Sequence, residues 1–151
     1  MEKILISSCL LGNKVRYDGE AKAIAHPQIT QWHQQNRFVV LCPEVAGGLS
    51  IPRARAEQYK DQVFDEFGHD VTKAFIQGAN KALALCQQHQ IKFALLKEFS
   101  PSCGANFVYD GSFSGQKIEG MGVTATLLLQ HQIQVFSELQ IEQLQQALKS
   151  P

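Results

Sequence analysis

Three of the chain's four cysteines stand in the same kind of place. Cys9 lies in ILISSCLLG, Cys42 in FVVLCPEVAGG and Cys103 in KFALLKEFSPSCG, each a few residues past an apolar run of strand length. Thiolates are soft donors, and three that converge can do three different things. With a fourth protein ligand they make a structural zinc site. Without one they suit an iron–sulfur cubane with one iron left open, a Lewis acid able to take substrate directly. Without metal they can run thiol exchange, one attacking and one resolving. The plain alternative is three core thiols, since free cysteine is often buried. The chain has no CxxC pair, so the spacing leans away from structural zinc. The residues alone leave the cluster, redox and core readings open.

Two groups beside the cysteines could take part. Glu44 follows Cys42 across a proline that stiffens the segment, and a carboxylate there can act as a general base. Ser100 precedes Pro101 and stands three residues before Cys103; it could relay a proton, or form a turn through its own backbone. Arg16, Arg53 and Arg55 fall on the same loops, where each could bind a ligand or pair with Asp18 or Glu57. Ser7, Ser8 and Ser102 flank the thiols and can donate to sulfur. Cys86 is different: it falls on the apolar face of a helical repeat (Val71, Phe75, Ala79, Ala82, Cys86) and reads as a core thiol. The five histidines form no HxH or HxxxH pair, and metal ligation is not expected of them.

Whether the three thiols meet depends on the elements that carry them. Runs at 3–7, 38–41, 92–97 and 133–137 read as strands, and helices are expected at 27–36, 70–88, 122–131 and 140–149. His26-Pro27 opens the first helix and Asp70 caps the second. Residues 42–58, with two prolines and Gly47-Gly48, read as a long loop, and 105–118 as a hairpin or irregular excursion. Strands alternating with helices imply a mainly parallel sheet covered on both faces. The expected fold is a single α/β domain over 1–151, three-layered and Rossmann-like or flavodoxin-like. In such a sheet all strand C-termini share one edge, where ligands bind. Cys9, Cys42 and Cys103 should meet there, with Cys86 near the opposite edge.

Fourteen basic residues balance fourteen acidic ones, so a nucleic-acid surface is not expected. No apolar run reaches membrane-span length, and MEKILISSCLLG lacks a signal peptide's pattern. A cytoplasmic protein is expected, its cysteines free rather than bridged. Oligomeric state is not legible.

Taken together, SSCLLGNKVRYDG, CPEVAGGLSIPRARAE, LLKEFSPSCG and GMGVTA resemble the thiouracil desulfurase family, small bacterial proteins once classed as a domain of unknown function. The resemblance runs over nearly the whole chain, with the motifs in the expected order and no second domain attached. It implies a [4Fe-4S] cluster held by Cys9, Cys42 and Cys103, with the fourth iron open to the sulfur of a thiolated base. It implies Glu44 and Ser100 as catalytic residues. The reaction implied is hydrolytic, 2-thiouracil to uracil plus sulfide, without net electron transfer. Arg16, Arg53 and Ser102 are then the candidate substrate-binding residues, and the partner is a small thiolated base. The competing readings are a metal-free cysteine redox enzyme or sulfurtransferase, and a non-catalytic carrier of metal or sulfide.

Overall fold

A computed structural model describes residues 1–149. In chain order its strands and α-helices are β1 (Ile4–Ser7), α1 (Pro27–Gln34), β2 (Phe38–Leu41), α2 (Pro43–Ala46), β3 (Ala56–Tyr59), β4 (Gln62–Asp65), α3 (Thr72–His89), β5 (Phe93–Leu96), β6 (Phe107–Tyr109), β7 (Lys117–Glu119), α4 (Val123–Gln130), β8 (Gln134–Ser137) and α5 (Ile141–Lys149). The four strands expected from the apolar runs form one parallel sheet in the order β2-β1-β5-β8. β1 (ILIS) and β5 (FALL) are buried at every residue, as unalternating strands covered on both faces must be.

Alternate residues of the central strands feed two cores. Ile4, Ile6, Phe93 and Leu95 pack with Ile29 and Trp32 of α1 and Ile141 and Leu144 of α5. Leu5, Ala94 and Leu96 pack on the other face with Ala82 and Cys86 of α3 and Ala125 and Leu128 of α4. The fold is therefore three layers, α/β/α. The chain passes from β1 to β2 on one side and then to β5 on the other, so strand order reverses between β1 and β5. That reversal opens a crevice at the C-terminal edge.

Two segments depart from expectation. Residues 42–58 are not one long loop. They hold the short helix α2 and the start of an antiparallel hairpin, β3–β4. The pattern AEQY–QVFD is too polar and too short to signal a strand pair by itself. Glycine explains why α2 lies where it does: a Cβ on Gly78 of α3 would overlap the Pro43 carbonyl, and one on Gly47 would overlap the Ala74 carbonyl. These two positions let the backbones of α2 and α3 touch. The second departure is smaller. α3 begins at Thr72 rather than just after Asp70, although the Asp70 carboxylate still accepts from the Thr72 amide at 2.9 Å. The excursion after Cys103 is the expected hairpin, β6–β7.

Candidate active site

At the C-terminal edge of the sheet lies a cavity of about 490 Å³ whose lining includes Cys9, Cys42 and Cys103. Cys9 sits in a 3-10 turn (Ser8–Leu11) directly after β1. Cys42 is the residue before α2, with its sulfur near the Val45 and Glu44 amides and donating to the Val15 carbonyl at 3.9 Å. Cys103 follows β5 on the Ser100–Cys103 turn. Ser7 Oγ accepts the Lys97 amide at 3.0 Å and lies beside Cys103. All four cysteines are free. Cys86 lies elsewhere, late in α3, where its carbonyl accepts from the Ile91 amide, two residues before β5.

Burial pushes the Cys9 thiol up to about 11, and the neighbouring Cys42 adds to the rise. Burial likewise raises Cys42, with the Glu44 carboxylate contributing. Cys103 is raised the most, by burial and then by Cys42, Glu44 and Cys9. The three thiols therefore sense one another through a low-dielectric pocket. A redox nucleophile needs a depressed pKa, so this direction argues against thiol exchange. A bound metal would remove those protons outright. Among the described residues, no three His, Cys, Asp or Glu side chains close around a single ion. A lone tetrahedral ion draws its sulfurs to within about 4 Å of each other. A cubane takes each thiolate at a separate iron and tolerates a wider spread. The donor set fits such a cluster: three thiols, supporting amide and hydroxyl donors, and the cations Lys97 and Arg16 acting on Cys9.

Glu44 and Ser100 are brought together. Ser100 Oγ accepts from the amides of Ser102 at 3.1 Å and Cys103 at 3.0 Å. With its acceptor side occupied, its hydrogen is left for Glu44 Oε2, 3.4 Å away. Glu44 Oε1 accepts from Arg53 Nε at 3.0 Å in a nearly sealed pair, the side chains 15% and 7% exposed. Arg53 also donates to the Ser50 carbonyl. Arg53 therefore orients Glu44 through Nε and is tied to the chain through one terminal nitrogen, while it also lines the cavity. Arg16 lines the cavity and pairs with Asp18 at 3.4 Å. Ser102 does not face the cavity. It is 1% exposed, and its hydroxyl bonds the buried Thr124 hydroxyl at 2.7 Å, because α4 packs directly behind the turn. Ser102 is a packing residue of the cysteine turn and not a ligand-binding one.

The sequence reading missed several wall residues. Phe99 has φ +69°, a left-handed conformation uncommon outside glycine, and it turns the chain between β5 and Ser100. Its ring lies 6.4 Å from Tyr109, with Lys117 Nζ 3.8 Å from its centroid. Glu98, 1% exposed, accepts from the amides of Ala105, Asn106 and Phe107 and from the Asn106 side chain. It anchors the segment after Cys103. A charged residue immediately after a fully apolar strand was the available signal for Glu98. Phe99 and Lys117 gave none.

Residues 4–140 match the family model described as 2-thiouracil desulfurase. The chain belongs to the 2-thiouracil desulfurase family. It is 48% identical to a solved structure described as the [4Fe-4S]-dependent thiouracil desulfidase TudS, with a TM-score of 0.99 over 100% of both chains. It is also 41% identical over 145 residues to an uncharacterized protein, YbbK, of Bacillus subtilis strain 168, covering 89% of this chain and 95% of that one. The family places the three-layer fold and the thiol-lined crevice in one context. No described helix is long and apolar enough to cross a membrane.

Proposed function

We propose that this chain is a [4Fe-4S]-dependent desulfurase that hydrolyses a thiolated pyrimidine, 2-thiouracil, to uracil and sulfide. Three thiols sharing one cavity, Cys9 and Cys103 buried and Cys42 partly so, with a hydrogen-bonded Glu44–Ser100 pair carry the reading. Cys9, Cys42 and Cys103 would hold the cluster. When bound, it supplies a soft Lewis-acidic iron for the thiocarbonyl sulfur, which weakens C=S and leaves carbon electrophilic.

The chain's own residues supply the rest. Arg53 fixes one oxygen of Glu44 and so orients the carboxylate. The other oxygen faces Ser100 and the cavity, placed to take a proton from attacking water. Ser100 holds its hydrogen toward that oxygen and can return a proton as the sulfur departs. Water adds to carbon, the C–S bond breaks and sulfur leaves as hydrosulfide, so carbon keeps its oxidation state. Phe99 and Tyr109 give the cavity an aromatic wall for a planar ring. The small cavity suits a small molecule and not a nucleic-acid strand. The site is built within a single domain, and four free thiols fit a cytoplasmic setting.

Anaerobically purified protein tests this. It should be brown, hold about four irons per chain, and release uracil and sulfide from 2-thiouracil. In ¹⁸O-water the label should appear in uracil. A fully loaded cluster with no turnover of any thiolated pyrimidine would overturn the activity.

A further inference from the structure

Three arginines line the cavity, and two are already engaged: Arg53 with Glu44 and Ser50, Arg16 with Asp18. Arg55 is the third. Its side chain makes no hydrogen bond or ion pair among the described residues, and its Nε is sealed from solvent without a partner. Two carboxylates on or beside the β3–β4 hairpin, Glu66 and Glu57, are both committed to backbone. Glu66 Oε2 accepts the Arg55 amide at 2.9 Å, while the Glu66 amide donates back to the Arg55 carbonyl at 2.8 Å. Glu57, 2% exposed, accepts the amides of Gly111 and Phe113 at 3.0 and 3.1 Å. The second arrangement seats the Phe113 ring against the guanidinium, 5.4 Å from its carbon. Arg55 is thus pinned at its backbone, backed by an aromatic face and left without an acceptor.

We propose that Arg55 is a specificity-determining residue that donates from its guanidinium to the exocyclic oxygen of the thiolated ring. This rests on the desulfurase reading above. The thiols sit on the sheet edge, whereas Arg55 lines the cavity from the residue before β3, outside the parallel sheet. A ring whose sulfur is directed to the thiols therefore has its carbonyl available to the other wall. The terminal nitrogens of this guanidinium have no acceptor among the described residues, and a ligand oxygen in the cavity would supply one. A site built this way also discriminates against analogues lacking the oxygen, because binding them leaves the guanidinium unmet.

The test compares wild type and Arg55→Gln on 2-thiouracil and on 2-pyrimidinethione, which lacks the second oxygen; KM is measured for either, or Ki where there is no turnover. Uracil affinity by calorimetry gives a readout independent of turnover. Arg55→Gln should keep its iron and melting temperature. It should raise KM for 2-thiouracil and weaken uracil binding about ten- to a hundredfold, with kcat within about threefold. The two proteins should hardly differ on 2-pyrimidinethione. Equal losses on both thiones, or no loss on 2-thiouracil and uracil, would overturn the assignment. If Arg55→Gln does not fold or load, Arg55→Lys keeps the cation over Phe113 without the planar fork, and the same comparison applies. A loaded wild type that desulfurates neither thione and binds no uracil sinks the parent reading. An active wild type with an indistinguishable variant sinks only this one.

Discussion

The two edges of the parallel sheet are both concave and both basic, yet they differ in every respect that matters for chemistry. At the C-terminal edge the cavity of about 490 Å³ gathers three thiols, a carboxylate, a hydroxyl and an aromatic wall. At the N-terminal edge a larger basin of about 760 Å³ is lined by Lys3, Arg37, Lys92 and several glutamines. Two of those cations serve the backbone: Lys3 Nζ donates to the Asn36 carbonyl, and Arg37 Nε to that of Glu2. Volume and charge therefore do not make the site. What distinguishes the smaller cavity is that buried polar groups there are held in specific pairs, a costly arrangement that a chain keeps where those groups act.

The sharpest way to break the comparison is to remove one thiol from each end. Cys103→Ser should lose nearly all iron, since a neutral hydroxyl is a poor soft ligand. Cys86→Ser sits in the core near the other edge and should keep it, at a stability loss of about 1–3 kcal/mol for a buried hydroxyl. Burial alone pushes the Cys86 thiol up to about 11, whereas Cys103 also feels Cys42, Glu44 and Cys9. Equal iron loss in the two variants would end the claim that the edges differ.

Next in size is the carboxylate. Glu44→Gln should retain iron and substrate affinity while kcat falls about a thousandfold, within the usual range for a positioned base. Ser100→Ala should cost less in rate. It also removes the acceptor for the Ser102 and Cys103 amides, so some iron loss should accompany it. Rates together with iron content per chain decide both. Full activity in Glu44→Gln would show that water is activated by some other group.

A smaller effect concerns how the active edge is braced. Glu98→Ala leaves four donors without their acceptor and should cost about 2–4 kcal/mol in anaerobic urea unfolding. Desolvation raises the Glu98 carboxyl, but the hydrogen bonds from Asn106 and Phe107 outweigh it and hold the pKa below the usual 4.5. A carboxyl lowered by folding stabilises fully above its unfolded pKa and loses that contribution as pH falls through its folded value. The gap between wild type and Glu98→Ala should therefore narrow once pH drops below about 4.5. Measuring both proteins at each pH cancels what acid does to the rest of the molecule.

The strands and the meeting of the thiols were legible because both follow from local pattern plus one topological rule. ILIS and FALL announce buried strands; FVVL, expected to be buried as well, is an edge strand with Val40 exposed, and a parallel sheet puts the three ends together. Glu44 and Ser100 were legible through their spacing from Cys42 and Cys103. What failed was everything that depends on side-chain direction. Ser102 and Ser100 stand two apart on the same turn, yet one faces Glu44 and the other Thr124. Arg53 and Arg55 stand two apart on the same segment, yet one is paired and the other is not. Extended-chain alternation puts residues two apart on one face and so separates neither pair; their directions are settled by partners such as Thr124 and Phe113, far away in sequence. The β3–β4 hairpin escaped for a related reason, since its register is fixed by neighbours more than by any apolar alternation.

The smallest expected effect tests the other side of the comparison. If the N-terminal basin is only the open base of the sheet, neutralising its charge should change almost nothing. Lys92→Gln should leave iron content, KM and kcat at wild-type values and shift stability by no more than about 0.5 kcal/mol, as at an ordinary surface position. Lys92 is a good choice because its side chain makes no hydrogen bond or ion pair among the described residues, so the substitution removes charge without leaving a partner unmet. The backbone carbonyl that bonds Gln134 is untouched. Any change in KM would mean that the basin's positive charge reaches the cavity through the sheet. The two edges would then be one electrostatic system, and the separation of an acting edge from a supporting one would fail at its quieter end.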